Sequence, residues 1–74
     1  MNKERRKQLN RSFALIDEAM DIIQGVMDEE QEAYDNLPES FRNGERGEQM
    51  SGNIESLEEV TGYLEDAKSV MEYI

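Results

Sequence analysis

Cysteine, histidine and tryptophan are all missing from this 74-residue chain. Their absence removes disulfide staples, thiolate chemistry, imidazole proton transfer and the usual zinc ligand sets. Neither an enzyme nor a metal- or cofactor-binding protein is therefore expected. Cations are scarce, with eight lysines and arginines against 18 acidic side chains and a net charge of −10. Phosphate affinity rests on cations that displace counterions, so direct nucleic-acid binding is disfavoured. Long apolar runs are missing as well. Phe13-Ala14-Leu15-Ile16 is broken at once by Asp17 and Glu18, too short for a signal-peptide core or a membrane span. No membrane partner is expected, and the cytoplasm is the expected location.

Proline occurs once, at Pro38, and two long uninterrupted segments flank it. The length allows one domain, residues 1–74. A lone core of this size yields roughly 3–5 kcal/mol unless something else staples it.

What the chain does have is a heptad. Leu9, Phe13, Ile16, Met20, Ile23, Met27, Glu30, Tyr34 and Leu37 are spaced alternately four and three residues apart, the seam of a coiled-coil helix. The spacing predicts a helix over about 2–36, stopped by Pro38, which disfavours helical backbone in the residue before it and lacks an N–H. Residues 37–44 form the expected turn. Pro38 suits the first position of a short helical turn, and Asn43-Gly44 is a turn dipeptide whose Asn is a competent N-cap. The heptad then resumes through Met50, Ile54, Leu57, Thr61, Leu64, Lys68 and Met71, predicting a second helix over about 45–73. Gly52 and Gly62 each weaken it by up to about 1 kcal/mol.

Folding the two segments back at Arg42 makes facing residues sum to about 84, and Phe13–Met71, Met20–Leu64, Met27–Leu57 and Tyr34–Met50 all satisfy that register. The alternate layers, Ile16–Lys68, Ile23–Thr61 and Glu30–Ile54, are half polar. Glu30 is expected to set register, paired with Lys68 of another chain or with Tyr34. The fold class is all-α, an antiparallel helical hairpin. Its apolar stripe is wider than one seam needs, because Leu15, Ile22 and Val26 on the first helix and Val60, Tyr63 and Val70 on the second occupy the neighbouring c and g positions. These six residues are the expected hydrophobic interface, and a homodimer forming a four-helix bundle is the expected assembly. A different protein covering the same stripe is the rival.

Charge is divided unevenly. Residues 1–11 carry Lys3, Arg5, Arg6, Lys7 and Arg11, whereas residues 12–74 carry 17 acidic side chains against Arg42, Arg46 and Lys68. Residues 1–9 are expected to overhang the second helix as a basic arm, which balances the acidic body or lies on the acidic tip of a second subunit; the less favoured reading is a contact with nucleic acid or a targeting patch. Asp28, Glu32, Asp35, Glu55, Glu58, Glu59, Glu65 and Asp66 form the candidate acidic partner surface. One reading of it is a solvated face that keeps a small protein soluble. The other is a row of carboxylates that imitates nucleic-acid phosphates and occupies a basic groove on another protein.

The stretch Asp35-Asn36-Leu37-Pro38-Glu39-Ser40-Phe41, followed by Glu45-Arg46-Gly47-Glu48, resembles the interhelical segment of small acidic helical-hairpin proteins from Gram-positive bacteria, their phages and mobile elements. The chain departs from that pattern at Asn43-Gly44, where a Ser cap is more natural. The resemblance carries no activity. It implies a bacterial or mobile-element origin and a turn, with Glu39, Phe41, Arg42 and Arg46, that itself serves in recognition. The expected function is a non-catalytic protein–protein interaction module, an inhibitor or regulator of a host protein. The alternatives are a nucleic-acid mimic of the anti-restriction or anti-CRISPR type, whose partner is a basic nucleic-acid-binding protein, and a structural or assembly component.

Overall fold

The computed structural model describes residues 1–74. It contains three helices and no strand: α1 (Lys3–Asp35), α2 (Glu39–Arg42) and α3 (Glu45–Met71). Asn2 starts α1, its extended backbone turning the side-chain oxygen to accept the Arg5 N–H at 2.8 Å. That satisfies one of the four N–H groups that a helix start leaves without a partner. The basic arm is thus the first turns of a rod and not a loose tail.

α1 ends where the proline dictates. The Asn36 N–H still reaches back to Glu32, and Leu37 closes a final tight turn on Tyr34. Pro38 then swings out to φ −56°, ψ 146°. It is the cap of α2, one place before the first helical position expected for it, and its carbonyl accepts from both Phe41 and Arg42. The Asn43-Gly44 pair also divides its work differently from the expectation. Asn43 terminates α2, while Gly44, in extended conformation, begins α3 and accepts from Glu48 at 3.0 Å. At the far end α3 stops at Met71, two residues earlier than expected, and residues 72–74 continue as a turn.

One glycine is required by contact. Gly47 is buried, and a Cβ placed on it would lie 2.1 Å from the carbonyl oxygen of Arg42 and 2.6 Å from its Cα. The end of α2 sits directly on the backbone of the first turn of α3, which only a residue without a side chain permits.

α1 and α3 pack along each other. The start of one meets the end of the other: Arg6 reaches Ile74, Phe13 and Asp17 meet Lys68, and Thr61 meets Met27. These pairs sum to between about 80 and 88, bracketing the register of about 84 and making the helices antiparallel. Every seam position named above, from Leu9 to Leu37 and from Met50 to Met71, is at least partly shielded, while most of their neighbours are exposed. Glu30 is among the shielded ones, and within the chain Lys68 does not pair with it. Lys68 extends sideways to pair with Asp17, with its ammonium 5.2 Å from the centre of the Phe13 ring. A long flexible stem lets a lysine in the seam carry its charge to the edge and keep it hydrated.

The resulting body is a rod of 58 × 16 × 12 Å with a radius of gyration of 17.2 Å, where a compact chain of this length has about 11 Å. Met27 is the only apolar side chain that is buried. The accessible surface is 5836 Å², against about 4,700 Å² for a compact monomer of this mass. Roughly 1,100 Å² of surface that a globular protein hides is therefore open on this one.

Candidate interaction surface

In an antiparallel helix pair the g positions of both helices flank the seam on one side and the e positions flank it on the other. The two sides of this rod have opposite character. On the g side, continued by the c positions, lie Leu15, Ile22 and Val26 of α1 and Val60, Tyr63 and Val70 of α3. All six are exposed, from 41% at Val60 to 64% at Tyr63 and Val70. Ala19 and Ala67 lie between them and Ile74 at the end, giving a continuous apolar strip about 20–25 Å long at 1.5 Å per residue. The single chain leaves this strip open to water.

On the e side, continued by b and f, the chain shows carboxylates. Asp28, Glu32 and Asp35 of α1 and Glu55, Glu58, Glu59, Glu65 and Asp66 of α3 are all exposed. The molecule's single ion pair is Asp17 with Lys68. Other carboxylates draw on neutral donors along their own helix: Gln8 bonds Glu4, Gln24 bonds Asp28, Gln31 bonds Asp35, and the Tyr63 hydroxyl bonds Glu59 at 3.0 Å. Lys3, Lys7 and Arg11 fall on the same positions at the start of α1, and beyond them this side carries no cation of its own to offset its negative field. Lys68 shows its effect. Its pKa is raised from the ordinary 10.5, chiefly by the hydrogen bond to Asp17; desolvation opposes the rise, and the charges of Asp17, Glu65 and Glu72 add to it.

The ends of the apolar strip carry opposite charges. Toward the chain start it runs into a shallow hollow lined by Met1, Arg5, Gln8, Leu9 and Ser12. Toward the turn it runs into Val26, Glu29 and Glu30. Arg5 and Glu29 border the apolar face and were not assigned to it from the sequence, although their g and c positions in the heptad are the signal that places them there. Arg6 does not overhang the hairpin freely, because its guanidinium donates to the main-chain oxygen of Ile74 at 2.9 Å. The four turn residues Glu39, Phe41, Arg42 and Arg46 are exposed together at the opposite end, with Phe41 54% open.

No family model matches the chain, and no curated protein or solved structure resembles it significantly. No helix is long and apolar enough to cross a membrane.

Proposed function

We propose that this chain is a non-catalytic interaction module that self-associates through its apolar face into a four-helix bundle and offers its acidic face to another protein in the cytoplasm. The observation that carries the reading is the division of one thin rod into an exposed apolar side and an acidic side with a single internal ion pair. The apolar side needs a cover because two helices alone leave it in water. The acidic side then remains outward in the bundle, where its field steers a basic partner at rates that fall with salt. Together with the resemblance of the turn to mobile-element hairpins, this supports a regulator or inhibitor of a host protein.

A second reading is specific to the carboxylate rows. Their length along a 58 Å rod and their lack of compensating cations support a mimic of nucleic-acid phosphates that fills a basic groove. An assembly component would use the apolar face alone.

The discriminating experiment captures partners from bacterial lysate on the unmodified protein and on a variant with Glu58→Lys, Glu59→Lys, Glu65→Lys and Asp66→Lys. The proposal expects the variant to keep its helicity and lose a basic partner that the unmodified protein retains at low salt. Displacement of that partner by added duplex DNA or RNA selects the mimic. Equal capture by both proteins contradicts a role for the acidic face.

A further inference from the structure

The apolar face carries information about how a second copy lies on it. On α1, Leu15 and Ile22 are placed almost evenly about Ala19, and Ser12 and Val26 stand evenly about it one turn further out. On α3, Val60 and Val70, and inside them Tyr63 and Ala67, are evenly placed about Glu65. The contacts between α1 and α3 put Ala19 level with Glu65, since the two numbers sum to about 84. Two apolar rows on different helices therefore share one centre, and a single two-fold axis through that level stacks both rows, apolar on apolar.

Two orientations satisfy this, and charge decides between them. A copy with its turn at the same end lays α1 along the partner's α3, gathers the two basic starts at one end and the two acidic tips at the other, and leaves Arg5 level with no acidic residue of the partner, because α3 stops short of its height. A copy flipped end for end lays α1 along the partner's α1 in reverse, so that facing numbers sum to about 37 or 38. Arg5 is then level with residues near 32, and its side chain reaches Glu29 of the partner subunit. The hollow at Met1, Arg5 and Gln8 meets the end of the strip bordered by Val26 and Glu29.

We infer that the partner on the apolar face is a second copy of this chain in the flipped orientation, with the basic start of each α1 held against the acidic tip of the other. This rests on the self-association proposed above and adds its geometry. The area suffices: one broad side of the 58 × 16 × 12 Å rod spans about 900 Å², against the about 800 Å² that each partner contributes to a standard stable interface. The pairing also gives the basic start a role that the hairpin leaves unfilled, because no carboxylate side chain of its own chain forms an ion pair with Lys3, Arg5 or Lys7.

The test uses the full chain and reads orientation separately from association. Sedimentation equilibrium establishes the mass. A spin label on a Lys3→Cys variant, unique because the chain has no cysteine, then reports the distance between the two starts. The flipped dimer expects about 45–50 Å, whereas the parallel one gives less than about 25 Å. Charge exchange supplies an independent reading. Arg5→Glu and Glu29→Arg should each weaken dimerisation about tenfold, and the double variant should recover to within about threefold of the unmodified chain. Arg5→Glu that tightens the dimer, a double variant that fails to recover, or a short label distance overturns the flipped arrangement and leaves self-association standing. A monomer at every concentration overturns both.

Discussion

Ile22 and Ile23 are adjacent, identical in chemistry and opposite in environment, which makes them a sensitive probe of the account. Ile23 points into the seam, while Ile22 is 62% exposed on the apolar face. Fully burying an isoleucine side chain gains about 1.5–3 kcal/mol, so covering the open part of Ile22 gains about 1–2 kcal/mol. The two-fold axis counts that gain twice, and Ile22→Gln should cost the dimer about 2–4 kcal/mol, raising its dissociation constant roughly 30- to 1,000-fold. Glutamine keeps a good helix propensity, so the backbone is not the cause of any loss. The assay is sedimentation velocity across a concentration series with far-ultraviolet circular dichroism on the same samples. Ile22→Gln should remain helical at high concentration and shift its association midpoint upward. Ile23→Gln removes seam packing from a molecule with almost no core to spare, and should lose helicity throughout the series. The reasoning is refuted if Ile22→Gln associates like the unmodified chain, or if the two substitutions behave alike.

The glycines should divide by contact. Gly47→Ala forces a methyl group against the Arg42 backbone and should destabilise the turn by about 1–3 kcal/mol, read as a lower thermal midpoint. Gly25→Ala and Gly62→Ala meet nothing within 4 Å and should each stabilise by about 0.5–1 kcal/mol, through the better helix propensity of alanine. Asn2→Ala removes the cap of α1 and should cost about 1 kcal/mol in the same melt. The charge of Lys68 gives a pH signature. Its raised pKa means that its stabilising contribution is fully present below the ordinary lysine value of 10.5 and is lost as pH rises through the raised one. The stability difference between the unmodified chain and Lys68→Met should therefore hold constant through neutral and mildly alkaline pH and change only above about pH 10.5.

How far the fold is legible in the sequence follows from which interactions obey spacing. The four–three repeat fixes which side of each rod turns inward, and every position on it is shielded, joined by Ser12, Ala19, Gly47 and Gly52 beside it. The exposed c and g residues are legible for the same reason, as the apolar remainder once the seam is assigned. Contacts made by reach are not legible. Lys68 sits in the seam by number yet carries its ammonium to Asp17 at the edge, and Arg6 spans to Ile74 across the open end, because four-carbon and guanidinium stems choose among several partners at similar height. The requirement for Gly47 was invisible because it depends on how closely α2 folds onto α3, and nothing in the spacing of Glu45-Arg46-Gly47-Glu48 encodes that approach. The acidic face is legible as a face, but the shape of its partner is written in another chain.

The central claim is that the apolar side of the rod is covered by a second copy, and the mass of the protein in solution tests it most directly. Sedimentation equilibrium at micromolar concentration should return twice the 8.6 kDa chain mass, with a thermal midpoint that rises with concentration because unfolding is coupled to dissociation. A well-folded helical species that stays at 8.6 kDa and melts at one temperature at every concentration would contradict it.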